Sequence, residues 1–261
     1  MKIYFISLES DKHRVAEFKK QFPIFFSKMN WIKAVNGKKL LADEYFLKLY
    51  NFFSIKEKII TPSELGCTLS HLNALNDFLA TDEKYCLILE DDAIGTDNEI
   101  KFIKSLLEKS EIDGCLILMD QRFYSYEKYI LGKNNGYGVY QLSNFSIKFI
   151  FGTCAYLLDR KTAQLMVDFH RNNINYADAW NDFYKFSTVK FYYSPVIGHP
   201  IDKNNSTIEG ERSMVNTAEN NFFKRIYKQG FFWKIYNRVR NDIIRINLLY
   251  SGFKQIHLTK K

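Results

Sequence analysis

Apolar and polar positions alternate along this chain in short blocks that switch between two periods. Residues 2–8 form an apolar run with strand character, and Asp11–Phe22 follows with helical spacing and Ser10 or Asp11 as its cap. Trp31–Val35 predicts a second short strand, closed by the turn pair Asn36-Gly37. Residues 39–54 are amphipathic with helical period. Thr61-Pro62-Ser63-Glu64 then marks a helix start, because Thr61 can cap, Pro62 suits the first turn and Glu64 completes a capping box. Leu65, Leu69, Leu72, Leu75 and Leu79 make one stripe of that helix. Tyr85–Leu89 and Gly114–Met119 read as buried strands, with a helix over about 99–109 between them. Residues 121–147 are aromatic and rich in Gly and Asn, as loops with short strands would be. Gly152–Leu158 is strand-like, Arg160–Phe169 and Tyr176–Phe186 are helical, and Phe191–Tyr193 is a late strand ending at Pro195. Strands alternating with helices imply an α/β fold with a mainly parallel sheet.

Composition agrees with a packed domain. Of 261 residues, 46% are apolar, with 23 Phe and 17 Tyr against 4 Pro, which argues against disorder or a Pro-rich linker. The first residues lack a signal-peptide pattern, since Ser7 and Glu9 interrupt the apolar run. No stretch is long and apolar enough for a membrane span. Cys67, Cys86, Cys115 and Cys154 are widely spaced, without zinc-type pairing, and read as reduced core thiols of a cytoplasmic protein.

The net charge of +8 is uneven. Residues 222–261 hold ten Lys/Arg and one acid, Asp242, so residues 1–221 carry 27 basic against 28 acidic side chains. A nearly neutral first part speaks against nucleic acid as a partner. Two segments follow from this break, a domain over 1–221 and a basic amphipathic tail over 222–261. In the tail, Phe232, Ile235, Tyr236, Val239, Ile243 and Ile246 keep helical spacing, with Lys234, Arg238 and Arg245 on the other side. Such a helix either packs its apolar stripe on the domain or lies on an anionic membrane surface, here the inner face of the cytoplasmic membrane.

The candidate chemistry begins at Leu87-Ile88-Leu89-Glu90-Asp91-Asp92-Ala93. A buried strand ending in three carboxylates puts negative charge at a sheet edge, where open α/β sheets bind ligands. Clustered carboxylates suit Mg²⁺ or Mn²⁺, which commonly also hold substrate phosphates. Taken alone, the acids fit a solvated turn equally well.

Several segments in order resemble glycosyltransferase family 25, which includes bacterial lipooligosaccharide and collagen galactosyltransferases. They are Ile3–Leu8 with Asp11 and Arg14, Ala34-Val35-Asn36-Gly37, Thr61-Pro62-Ser63-Glu64-Leu65-Gly66-Cys67 with Ser70-His71, the Glu90-Asp91-Asp92 turn, and Gly152-Thr153-Cys154-Ala155-Tyr156-Leu157-Leu158 with Arg160 and Ala163. Leu72 stands where the family often has Trp, His199 stands where it tends to have Gln, and residues 205–208 match its final Ser-x-Ile only loosely.

The resemblance implies a GT-A-like, Rossmann-type domain with a mixed, mainly parallel sheet. It implies inverting, metal-dependent transfer of a sugar, galactose from UDP-galactose first, onto a lipooligosaccharide or other cell-surface glycan. The expected roles are Asp92 as metal ligand, Glu90 as a second carboxylate near metal or ribose, and His199 as a further ligand. Asp91 can take either acidic role. Ser7, Arg14, Glu64, His71, Gly152 and Thr153 join Glu90 and Asp91 as donor-side residues, although Glu64 also reads as a cap and His71 as a wall residue. Asp178 is the candidate base, or a helix cap, with Asp120 as runner-up. Trp180 offers an apolar face for the acceptor sugar, or core packing. Two other classes fit the acids, a metal-dependent phosphoesterase or nucleotidyltransferase and a non-catalytic glycan- or membrane-binding protein.

Overall fold

A computed structural model describes residues 1–121, 126–200, 208, 210–215 and 230–256. The strands are β1 (Lys2–Ser7), β2 (Asn30–Lys33), β3 (Tyr85–Glu90), β4 (Gly114–Met119), β5 (Leu131–Asn134), β6 (Tyr140–Leu142), β7 (Ala155–Asp159), β8 (Lys190–Ile197) and β9 (Lys254–Gln255). They form one nine-stranded sheet in the order β2-β1-β3-β7-β4-β8-β6-β5-β9. β2, β1, β3, β4 and β8 point the same way, and β7 runs reversed between β3 and β4. The α/β architecture with a mixed, mainly parallel central sheet is as the sequence predicts. The far half, β8-β6-β5-β9, is antiparallel.

Alternation along each central strand feeds two apolar layers. Tyr4, Ile6, Cys86 and Ile88 face one layer, while Ile3, Phe5, Leu87 and Leu89 face the other. The first layer packs on α3 (Pro62–Leu79), α5 (Arg160–Asn172) and α6 (Trp180–Ser187). The second packs on α1 (Lys12–Gln21) and α4 (Asp97–Lys109). α2 (Ala42–Lys56) docks beside the start of α3 through Phe52, Ile60 and Leu65.

Local signals explain several boundaries. The Thr61/Glu64 capping box forms with Pro62 in the first turn, and Thr96/Glu99 makes a second one before α4. Asp11 stands at the N-cap of α1 without a side-chain cap bond, so α1 starts without the expected capping contribution. β8 continues past Pro195 to Ile197, whereas the sequence suggests a stop at Pro195. The ladder to β4 shifts register between Ile117 and Met119, and an irregularity there accommodates a residue with no N–H.

The C-terminal segment does not hang free of the domain. α7 (Gly230–Tyr250) leads through a turn to β9, which pairs with β5, and Ile256 is 2% exposed inside the first core layer. The charge break at residue 222 therefore does not end the packed domain. No helix among the described residues is long and apolar enough to cross a membrane.

Candidate functional site

Because β1, β3, β4 and β8 are parallel, Ser7, the Glu90-Asp91-Asp92 turn, Asp120 and His199 all emerge at one sheet edge. β7 is reversed, so the Gly152-Thr153 turn that precedes it lies at the same edge. The middle of α3 lies there too, since His71 bonds Glu90. This gathering at strand C-termini is where doubly wound sheets place ligands.

Two glycines seat α3. A Cβ on Gly37 would fall 1.6 Å from the Pro62 carbonyl oxygen, and one on Gly66 would fall 2.5 Å from the Val35 carbonyl oxygen. The Ala34–Gly37 loop and the Glu64–Cys67 turn are thus the two sides of one backbone contact. Ser70 finishes it, accepting the Val35 N–H at 2.8 Å and donating to the Gly66 carbonyl.

The acids divide into two groups. Glu90 Oε1 accepts from Thr153 Oγ1 at 2.6 Å and lies 3.2 Å from His71 Nε2. His71 Nδ1 lies 2.9 Å from the Tyr156 hydroxyl. With a proton on Nε2 the chain runs from Tyr156 to His71 to Glu90, each group donating to the next. Burial, first, and the neighbouring thiols and Glu90 push the Tyr156 phenol well above its ordinary value, so it stays a donor. Cys67, one turn before His71, completes a cluster with His71 and Glu90 whose donor atoms lie within 4.8 Å of one another.

Asp91 and Asp92 face another way. Asp91 Oδ2 accepts from Ser7 Oγ at 2.6 Å, and its Oδ1 lies 2.7 Å from Arg14 Nη2. Burial pushes its carboxyl up to about 6, against the opposing pull of Arg14 and Ser7. Asp92 Oδ2 lies 3.3 Å from His199 Nε2 and 3.4 Å from Arg14 Nη2. Burial raises the Asp92 carboxyl, but the His199 hydrogen bond and the charges of His199 and Arg14 outweigh it and hold it below the ordinary range. His199 in turn is lowered by burial and raised further by Asp92, ending above its ordinary value. Asp92 Oδ1 is buried with no hydrogen-bond partner among the described residues. A buried carboxylate oxygen without a donor is costly, and an adjoining imidazole makes the pair fit a divalent cation. Backbone bonds between Ile94 and Gly198, at 2.9 and 2.7 Å, hold β8's end against the acidic turn and so bring His199 to Asp92.

Asp178 lies on a third side. Its Oδ2 accepts the Gly152 N–H at 2.9 Å, and Gly152 adopts a positive φ of 77° that suits glycine. Ala179, rather than Asp178, holds the N-cap position of α6. The Cys67 thiol is raised first by burial and further by the charges of Glu90, Asp178 and Asp92.

Other expected residues stand elsewhere. Trp180 is 1% exposed and donates its indole N–H to the Gly152 carbonyl at 2.9 Å, so no face is open for sugar stacking. Its role is to fix the Gly152 turn, and this corrects the acceptor-side expectation. Glu64 is buried in its capping box and pairs with Arg212 at 2.5 Å. Asp120 is 4% exposed at the end of β4, its N–H bonded to Ile197. Of residues 205–208, only Ile208 lies among those described. Sequence reading missed Tyr156 as His71's partner and Cys154, whose buried thiol feels Asp92 and Glu90. Their position in the Gly-Thr-Cys-Ala-Tyr strand beside the acids was the available signal.

The profile of glycosyltransferase family 25, described as LPS biosynthesis protein, matches residues 1–180. The match spans the acidic turn, the Gly152 turn and Asp178, and stops short of His199. No curated protein matches the chain. The chain belongs to glycosyltransferase family 25, a family of lipopolysaccharide biosynthesis.

Proposed function

Proceeding from that membership, we propose that this glycosyltransferase is metal-dependent and inverting, and that it moves galactose from UDP-galactose onto a lipooligosaccharide or similar cell-surface glycan. The observation that carries the metal reading is the unpartnered, buried Asp92 Oδ1 beside His199. Asp92 and His199 would hold Mn²⁺ or Mg²⁺, with Glu90, on the other side of the turn, proposed for the ribose. The ion, when bound, supplies positive charge for the departing diphosphate. The choice of galactose rests on the family resemblance.

The remaining work falls to the chain's own residues. Arg14, held by Asp91, brings a fixed guanidinium to the same edge for phosphate oxygens. Asp178 is held by Gly152 on one oxygen and is only partly buried, so the other oxygen serves as base. It takes the proton of the acceptor hydroxyl as that oxygen bonds the anomeric carbon, while the bond to the diphosphate breaks on the opposite face. Thr153 and Gly152 keep Glu90 and Asp178 in register on either side of one turn.

The test is Asp92→Asn, assayed for Mn²⁺ binding by calorimetry and for transfer from UDP-galactose. Metal binding should be lost and turnover should fall about a thousandfold, or ~4 kcal/mol of transition-state stabilisation. Undiminished turnover in the variant overturns the metal assignment.

A further inference from the structure

α7 is an amphipathic helix mounted the unusual way round. Its polar side holds it to the domain. Asp242 Oδ1 accepts from Lys128 Nζ at 2.8 Å and from the Tyr129 hydroxyl at 2.9 Å, and Lys148 Nζ donates to Asn241 Oδ1 at 3.0 Å. Arg245 donates to the Lys128 carbonyl and to Gln255 Oε1, both at 2.9 Å. Beyond the helix, β9 and buried Ile256 staple its end to the sheet.

The apolar stripe therefore points outward. Ile235, Tyr236, Val239, Ile243 and Ile246 are between 45% and 55% exposed, and Tyr250 is 89% exposed. Their spacing keeps them on one side of the helix. A helix of a globular domain ordinarily buries that stripe, and a contiguous exposed one marks an interaction surface. Arg238 and Arg240, both exposed, border it with positive charge on its two sides, while Lys234 lies further round the helix.

We propose that this outward face of α7 docks on an anionic bilayer surface, laying the Ile/Val/Tyr stripe into the interface with the flanking Arg238 and Arg240 on lipid phosphates. Cations near an anionic surface are drawn to its lipid phosphates, and tyrosines suit the interfacial level. A second copy of the chain fits less well. A two-fold contact centred on the stripe, with its axis near Val239, would bring Arg238 and Arg240 against the same positive charges of the other copy. Helix α2 also exposes Phe46, Leu47, Tyr50 and Phe53, but Asp43 and Glu44 sit exposed in its first turn and oppose an anionic surface. Because α7 is fixed to the β5–β6 side of the sheet, the contact orients the whole domain on the bilayer.

The experiment uses full-length protein and flotation with phosphatidylglycerol-rich vesicles, with pure phosphatidylcholine vesicles as the second arm. Deleting the tail is unsuitable, since it removes β9 and Ile256 from the core. Val239→Ser with Ile243→Ser, at exposed positions, should keep the melting temperature and weaken binding to the anionic vesicles at least about tenfold. Arg238→Glu with Arg240→Glu should do the same, and neutral vesicles should bind the parent weakly. Phe46→Ser with Tyr50→Ser, on α2, should leave binding unchanged. The proposal is overturned if the parent ignores anionic vesicles or if the α2 variant alone abolishes binding. It also falls if light scattering shows a parent dimer that the α7 stripe variant dissolves. None of these readouts requires sugar transfer, so the result stands apart from the transferase reading.

Discussion

Glu90 and Asp92 leave the same strand two residues apart and meet opposite surroundings. One Glu90 oxygen takes Thr153 and His71, with Tyr156 behind His71, so that side of the turn is a closed hydrogen-bonded wall. Asp92 meets two basic groups, Arg14 and His199, and its buried Oδ1 has no hydrogen-bond partner among the described residues, with the Cys154 thiol nearby. The wall is satisfied by the protein itself. The Asp92 side is where the proposed cation would sit. Damage to the wall should thus appear first in stability, and damage on the Asp92 side in ligand binding and turnover.

The largest expected break in the wall is Gly66→Ala. The added Cβ would press on the Val35 carbonyl and the Gly37 backbone, neither of which can swing aside as a side chain does. A loss of about 3 kcal/mol in urea unfolding is expected from such overpacking. Asp92→Asn, by contrast, should unfold within about 1 kcal/mol of the parent, because the cost of burying its charge and the attraction of His199 and Arg14 oppose one another. If Asp92→Asn were the less stable of the two, the division between the wall and the Asp92 side would be wrong.

Tyr156→Phe probes the same division more finely. It deletes the hydroxyl that His71 Nδ1 uses and leaves that buried nitrogen unpaired, at about 2 kcal/mol. Mn²⁺ affinity measured by calorimetry should stay at the parent value. A fall in metal affinity would mean that the His71–Glu90 side takes part in cation binding, as the nearby Cys67 thiol would allow.

Much of this was legible in the sequence for a physical reason. The Thr61/Glu64 capping box and the apolar strand ending in acids are local patterns, and both formed where the pattern placed them, while the strand expected over 152–158 begins only at Ala155, after a Gly152-Thr153 turn. What local pattern cannot carry is pairing across the sheet. The reversal of β7 follows from which edge the chain enters after residue 150, and no periodicity records that. Gly37 and Gly66 read as a turn residue and a helix residue, and only their contact shows why both lack a side chain. Trp180 has the composition of a sugar platform, but the indole finds its acceptor in the Gly152 carbonyl, far away in sequence. The outward stripe of α7 was legible as a stripe, while its direction depended on polar contacts with Lys128 and Lys148.

The smallest effect concerns His170, which lies on α5 behind the wall. It is 6% exposed and accepts the Asn175 N–H through Nδ1 at 3.3 Å. Burial, first, and the neighbouring His71 lower its pKa to about 3, so the folded protein keeps this ring neutral. The unfolded chain takes up a proton near the ordinary histidine value of about 6.5. Between those two values the unfolded state binds more protons, so stability is fully present above about 6.5 and falls as the pH drops towards 3. One pH unit below the unfolded value the loss from this residue is about 1 kcal/mol. Urea unfolding near pH 7.5 and near pH 5.5 should show that extra slope in the parent and lack it in His170→Gln. An equal slope in both proteins would shift the acid sensitivity away from His170, leaving the carboxylates at the sheet edge as its source.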